Sequence, residues 1–315
     1  MMFWLIIKFI FFIYVLAHSG TWLVKILSRI SSYFKVSYFA VAFMIMAAAT
    51  SVPELMIGIN SALDKMPQLS LGVVLGSNIA DLALVFGVAL ILSKHISLDS
   101  LIAKRDAWYM VLITLLPIFL LYDKVLSRFD GIILLLAFSL FSYQIFWSKQ
   151  HFLKSFDDFN QKTATKLLHL LKNFTWFVVA LGIMLVSAKY VVDFGEQLAI
   201  FFSIPLIIIG ITILALSTSL PELVFEVKAI TSGKKGMALG DLVGSLVANS
   251  SLILGITAVI YPIQIENSSA YFVAVLYLIL LLIFFILNIA KPLSRNIGYL
   301  LVFSYLIFLL IEFYR

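Results

Sequence analysis

Apolar residues run through this chain in blocks of about twenty, separated by short polar stretches, and within each block the apolar positions are continuous rather than alternating. The blocks fall near 3–26, 37–63, 69–93, 107–122, 131–148, 172–197, 203–231, 237–261, 268–290 and 296–314. A hydrocarbon core of roughly 30 Å takes about 20 helical residues to cross, so the pattern predicts ten membrane spans. Barrel strands would alternate apolar and polar positions, and inside lipid every backbone polar group needs a partner within the protein. The expected fold class is therefore an all-α polytopic membrane protein, with no soluble domain.

Composition agrees: the 315 residues are 63% hydrophobic and 12% charged, with a mean hydropathy of +1.11. Lys8 interrupts the first block and no small-residue cleavage site follows it, so the first span is expected to remain in the protein. The chain has no cysteine, which excludes disulfides, thiol nucleophiles and thiolate metal sites. A net charge of +6 does not indicate nucleic acid, because the basic residues are scattered through short loops as the positive-inside rule expects. With the N-terminus outside, inner loops hold Lys25, Arg29, Lys35, Lys94, Lys104, Arg105, Lys149, Lys154, Lys162, Lys166, Lys172, Lys228, Lys234, Lys235, Lys291 and Arg295. The outer side keeps only Lys65, Lys124, Arg128, Lys189 and Arg315. Both termini are expected to face outward from the inner or plasma membrane.

Two blocks repeat. "AAATSVPELMIG" (47–58) and "LALSTSLPELVF" (214–225) place their glutamates, Glu54 and Glu222, 168 residues apart. The same offset carries Ala47 to Ala215, Thr50 to Thr218, Ser51 to Ser219, Pro53 to Pro221, Gly72 to Gly240, Gly76 to Gly244, Ser77 to Ser245, Ala80 to Ala248 and Gly87 to Gly255. Each half holds five predicted spans, an odd number, so the second half enters the membrane from the opposite side. The expected organisation is a first five-helix repeat over 1–148, a cytoplasmic connecting loop over 149–171 and an inverted repeat over 172–315. Inverted repeats are a mark of secondary transporters whose site lies at the midplane between the halves.

The repeated motif is rich in oxygen. Proline removes a helix hydrogen bond, so Pro53 and Pro221 are expected to free the carbonyls of Ala49 and Ser217. Backbone of that kind is tolerated at membrane depth where it lines a cavity. Carboxylates and hydroxyls beside it, with no histidine or sulfur, select calcium, sodium or similar hard cations. Bidentate Glu54 and Glu222 with the Thr50 and Thr218 carbonyls would supply about six ligands, within the calcium range. Ser51, Ser77, Asp81 and their counterparts are left for weaker sites suited to monovalent ions. Ser77 with Asp81, and Ser245 with Asn249, are four residues apart and share a helix face. Each ionised acid at mid-membrane costs roughly 2.5 to 3.5 kcal/mol on insertion scales, which bound cations or protons would offset.

These blocks resemble the alpha repeats of the cation/calcium exchanger superfamily, most nearly the prokaryotic sodium/calcium exchangers, whose motif reads Gly-Thr-Ser-x-Pro-Glu. The resemblance implies Na+/Ca2+ antiport by alternating access, with spans one and six sliding against the other helices. It implies calcium ligation by Glu54, Glu222, Thr50 and Thr218. For sodium it implies Ala47, Ser51, Ser77, Asp81, Ala215, Ser219, Ser245 and Asn249. The chain departs from the pattern at Ala49 and Ser217, which stand in place of glycine. It also exchanges Asp81 and Asn249 relative to the archaeal arrangement. Proton-coupled or potassium-dependent calcium exchange is the nearest alternative, and a cation channel the alternative of a different class. An intramembrane protease using Asp81 and Asp241 finds no support in the repeat, so the expected protein is not an enzyme. It needs no cofactor; inorganic cations and the lipid bilayer are its partners, and a monomer is expected.

Outside the repeat, Glu226 and Asp241 have Gly58 and Val73 at the matching positions. They are expected near the cytoplasmic face, paired with Lys228, Lys234 or Lys235. His18, His95, His151 and His169 show no metal spacing, and the loop over 149–166 is too short for a calcium-sensing domain. The absence of native cysteine makes the orientation directly testable. Arg315→Cys in intact cells is expected to react with an impermeant maleimide from outside, and Lys162→Cys only after permeabilisation; the reverse pattern overturns the assignment.

Overall fold

The first long polar-to-apolar boundary, at Pro67, begins a helix that proves central to the architecture. The structure is a computed structural model, and it describes residues 2–33, 50–93, 101–148, 164–202, 206–231, 235–265, 269–288 and 293–314. The helices are α1 (Met2–Tyr33), α2 (Val52–Leu63), α3 (Pro67–Leu92), α4 (Leu101–Leu120), α5 (Arg128–Ser148) and α6 (Ala164–Phe202). They continue as α7 (206–218), α8 (Leu220–Thr231), α9 (235–260), α10 (Ser269–Asn288) and α11 (Arg295–Tyr314). Two short strands, β1 (Val125–Leu126) and β2 (Ile263–Gln264), pair antiparallel with Val125 opposite Gln264. This is the all-α polytopic fold the hydropathy pattern predicts. Among the described residues five helical stretches are long and apolar enough to cross a membrane: Pro67–Leu92, Thr175–Gly195, Ala238–Ile260, Ser269–Asn288 and Arg295–Glu312.

Helix limits recur at the sequence offset. Shifting α2, α3 and α4 by 168 residues lands on α8, α9 and α10 at both ends. Proline sits in the first turn of α2 and of α3, where its missing N–H has no intrahelical acceptor to lose. One difference from the expected limits is α6, which starts at Ala164, inside the stretch read as connecting loop. Leu167, Leu168, Leu170 and Leu171 are strong helix formers with no glycine or proline among them, so the helix continues beyond its apolar span.

The ends of the helices group on two faces. Gln68 Nε2 donates to the Gln264 carbonyl at 3.3 Å, and the Ile265 N–H to the Lys124 carbonyl at 2.9 Å. The connections near 64–68, 121–127 and 261–265 therefore lie together. On the other face Arg295 Nε reaches the Ser93 carbonyl at 3.4 Å. This grouping matches the alternation of loops along the sequence.

Packing places α3 and α9 at the centre, with 83% and 78% of their most apolar windows buried, against 28% for α11. Leu136 and Leu140 of α5, Phe272 and Leu276 of α10, and Phe303 and Leu310 of α11 are exposed, as lipid-facing residues would be. The second half crosses α3 at backbone contact. A Cβ on Gly76 would strike the Ile211 carbonyl and come 2.5 Å from the Ala215 Cβ, and one on Gly210 would lie 2.8 Å from the Leu69 carbonyl. Small residues at such crossings let membrane helices approach closely. Helices α1 and α6 pack on each other in a second apolar cluster, with Phe9, Leu16, Met184 and Val191, that also takes in Ile57 of α2, Leu69 and Val73 of α3 and Leu214 of α7. Phe12 lies 4.4 Å from Tyr190 between ring centroids, and Trp22 5.4 Å from Trp176.

The α3–α7 crossing predicts a sharp contrast between two glycines. Gly76→Val should destabilise the protein by about 1 to 3 kcal/mol or more through overpacking. Gly182→Ala, where nothing lies within 4 Å of the added carbon, should be neutral or mildly stabilising. Thermal unfolding in detergent reads both; equal melting temperatures for the two variants would refute the crossing.

Candidate ion-binding site

The second motif copy sits on a broken helix, and the first opens a helix. Ser219 (φ −77°, ψ 0°) separates α7 from α8, and Ser51 (φ −80°, ψ 1°) precedes α2, so the two halves repeat the same local backbone. The break is short: the Ser219 N–H still reaches the Ala215 carbonyl at 3.0 Å. The next helix starts at once, with the Leu223 N–H on the Ser219 carbonyl at 3.1 Å and, in the first copy, the Leu55 N–H on the Ser51 carbonyl at 3.0 Å. Glu54 and Glu222 then fall in the first turn of the new helix, where the positive end of the dipole favours a carboxylate. One helix further on, α3 turns into π-helix over Asp81–Val85 and α9 over Ala248–Ile253. The extra residue of a π-bulge rotates the side chains that follow it, and such bulges gather at functional sites.

These elements bring the two copies together. Thr50, Ser51, Glu54, Ser77, Asp81, Thr218, Ser219, Glu222, Ser245 and Asn249 are all buried, none more than 3% exposed. Ser77 Oγ donates to Glu54 Oε1 at 3.4 Å and lies 3.2 Å from Thr218 Oγ1, so one hydroxyl joins both motifs. Glu222 is within electrostatic range of Glu54 and Asp81, and Asp81 of Glu54. The Ser219 hydroxyl approaches Asp81 but falls short of hydrogen-bonding geometry. Ala215 is also buried here; its carbonyl already accepts the Ser219 N–H at 3.0 Å and the Thr218 hydroxyl at 3.1 Å. Ala47 lies outside the described residues.

Eight buried oxygens in this group have no hydrogen-bond partner: Ser51 Oγ, Glu54 Oε2, both Asp81 carboxylate oxygens, Ser219 Oγ, Glu222 Oε2, Ser245 Oγ and Asn249 Oδ1. Buried polar atoms in proteins are almost always paired, so such a concentration needs an external partner. Among the described side chains no lysine, arginine or histidine is buried, so none of these supplies positive charge there. Among the described residues no three acidic or histidine side chains converge on one point. The arrangement therefore suits a hard cation held by few carboxylates, with hydroxyl, amide and main-chain oxygens completing its shell.

Comparison with known proteins agrees with this geometry. The family model described as "Sodium/calcium exchanger protein" matches residues 3–147 and 172–314. The chain belongs to the sodium/calcium exchanger family. Inner membrane protein YrbG of Escherichia coli is 30% identical to this exchanger-family chain over 272 residues, covering 84% of it and 83% of YrbG. Sodium/calcium exchanger MaX1 of Methanosarcina acetivorans is 28% identical, with 95% of each chain covered. A solved structure of the sodium-calcium exchanger NCX_Mj, soaked with Na+ and Sr2+, matches with a TM-score of 0.68 at 25% identity over 98% of both chains.

Two positions of this family member differ from the sequence reading. Glu226 and Asp241 are not at the surface, and the lysine side chains expected to pair with them lie outside the described residues. The two acids are 1% and 0% exposed, and Glu226 Oε2 and both Asp241 oxygens are unpartnered. Helices α8 and α9 pack side by side, which buries these carboxylates within the protein. Asn78 and Ser250 were not legible as site residues, because the repeat puts leucine at both matching positions, 246 and 82. Asn249 Nδ2 donates to Asn78 Oδ1 at 3.2 Å, and Asn78 Nδ2 to Ser250 Oγ at 2.8 Å. This chain uses the amide nitrogen of Asn249 and leaves its oxygen directed away from the Asn78 contact. Asn78→Ala should weaken cation affinity about 10- to 100-fold while leaving expression near wild type, as loss of an outer-shell partner does. Isothermal titration with Ca2+ and Na+ measures it, and unchanged affinities would remove the positioning role.

Proposed function

We propose that this protein exchanges Na+ for Ca2+ across the cell membrane by alternating access. The observation that carries the reading is the Ser77 bridge between the two motif copies, amid buried oxygens with no partner and no base. In this reading Ca2+ lies between Glu54 and Glu222, with the Thr50 and Thr218 carbonyls completing its shell. Na+ takes sites built from Ala47, Ser51, Ser77, Asp81, Ala215, Ser219, Ser245 and Asn249. For Ala215 to serve, the Thr218 hydroxyl must release its carbonyl. The two halves act as inverted five-helix repeats, and the recurrence of helix limits at one offset supports that. Movement falls to α1 and α6, whose mutual packing and ring contacts between Phe12 and Tyr190 and between Trp22 and Trp176 suit a pair that moves as a unit. Both termini face outward.

Family membership supports calcium exchange, and likeness to the sodium/calcium exchangers MaX1 and NCX_Mj supports sodium as its counter-ion. Burial of the site on every side favours a carrier over a channel. Proton coupling is the second reading, favoured by the number of buried acids. Moving net positive charge inward would draw roughly 2.3 kcal/mol per charge per 100 mV from the membrane potential.

Reconstitution in liposomes decides between these. Calcium flux should follow an imposed Na+ gradient and ignore K+ and pH gradients applied separately; flux that follows pH alone would replace sodium by protons. Glu54→Ala and Glu222→Ala should each lower calcium flux more than about 100-fold, beyond the loss typical of an outer-shell partner. Robust transport in either variant would sink the ligand assignment.

A further inference from the structure

The two halves are alike at Glu54 and Glu222, but their differences converge on one place. Asp81 faces asparagine in the other copy, Glu226 faces Gly58, and Asp241 faces Val73. In the first half these positions serve packing. Val73 is fully buried among Ile57 and Leu69, and a Cβ on Gly58 would come 2.8 Å from Thr257 Oγ1. In the second half they hold two carboxylates within electrostatic range of each other and of Asp81.

A further group points to the same spot. The Tyr305 hydroxyl on α11 is buried, has no hydrogen-bond partner and lies within electrostatic range of Asp81. The matching position of α5 is Ala137. Helix α11 packs on the π-helical turn that begins at Asp81, and that turn also touches α8 and α9. Glu226, Asp241, Tyr305 and Asp81, from four helices, thus keep unpartnered buried oxygens on this side of the protein, and only Asp81 has a polar counterpart, Asn249, in the other half.

Their depth follows from helix geometry. Glu226 is one turn, about 6 Å, beyond Glu222 toward Thr231, and Asp241 is one turn before Ser245 toward Lys235. Both are displaced toward the 231–235 connection. With one Ca2+ balancing Glu54 and Glu222, this pair still has no counter-charge among the described side chains, and isolated buried carboxylates are strongly disfavoured. Two carboxylates and neighbouring hydroxyl oxygen match a divalent hard cation in charge and donor type.

We propose that Glu226 and Asp241 bind a second Ca2+, one turn from the exchange centre on the side of the 231–235 connection, and hand it on through Asp81. This rests on the calcium reading above, yet it can fail separately. Equilibrium binding of radioactive Ca2+ to the purified full-length protein in sodium-free detergent solution counts ions per chain. The expectation is about two Ca2+ in wild type, and about one in the Glu226→Gln/Asp241→Asn variant. In Glu54→Gln/Glu222→Gln about one should also remain, on the relay pair. A wild-type count of one, or two retained in the Glu226→Gln/Asp241→Asn variant, overturns the relay and leaves the exchange reading standing. One ion with both carboxyls protonated in infrared difference spectra would assign the pair to protons instead. No bound calcium at all would overturn both readings. Should the double variant not fold, the wild-type count and the single Glu226→Gln variant decide the matter alone.

Discussion

Carboxylates buried inside a membrane protein, with no buried base among the described residues, are the constraint from which the rest of this structure follows. Glu54, Asp81, Glu222, Glu226 and Asp241 are at most 2% exposed, and no described lysine, arginine or histidine is buried with them. Each costs roughly 2.5 to 3.5 kcal/mol to insert if ionised, and hydrogen bonds from Ser77 cover only a fraction of the oxygen present. A polypeptide that keeps such groups has a use for positive charge from outside. That is why orphaned oxygens, which would mark a defect elsewhere, here describe a cation pathway.

Helix architecture supplies the oxygens without exposing backbone to lipid. Breaking α7 from α8 at Ser219, with the same dihedrals at Ser51, places a carboxylate at a helix start beside the end of the preceding helix. The π-helical turns at Asp81 and at Ala248 do related work one helix further on. None of this would meet at the midplane without the α3–α7 crossing, where Gly76 and Gly210 bring two backbones into contact. Glycine at that crossing and serine at the break are thus as necessary to the site as the glutamates.

Symmetry and its loss divide the labour. The two motif copies meet across one hydroxyl, giving a pair of matched acids from opposite halves. The differences gather on one side, where Glu226, Asp241 and Tyr305 stand near Asp81. An exchanger working between two unlike solutions has reason to treat its two faces differently, and an asymmetric set of acids is one way to do so.

Much of this was legible in the residues. Hydropathy blocks determine a helical membrane fold because lipid leaves the backbone no other partner. The offset of 168 determines that Thr50 to Glu54 and Thr218 to Glu222 are one device written twice, and the helix limits recur at that same offset. Oxygen-rich chemistry without histidine or sulfur selects hard cations from composition alone. Other features needed tertiary structure. Periodicity cannot tell whether an acid near a helix end turns to solvent or inward, so Glu226 and Asp241 read as surface partners of lysine until α8 and α9 were seen packed together. Asn78 and Ser250 have leucine at the matching positions, and only the approach of α3 to α9 makes them a hydrogen-bonded support for Asn249. The extension of α6 to Ala164 reflects local leucine propensity acting beyond the apolar span. A sequence records which chemistry is present and how often it repeats, whereas the direction in which each side chain points is decided by the neighbour packed against it.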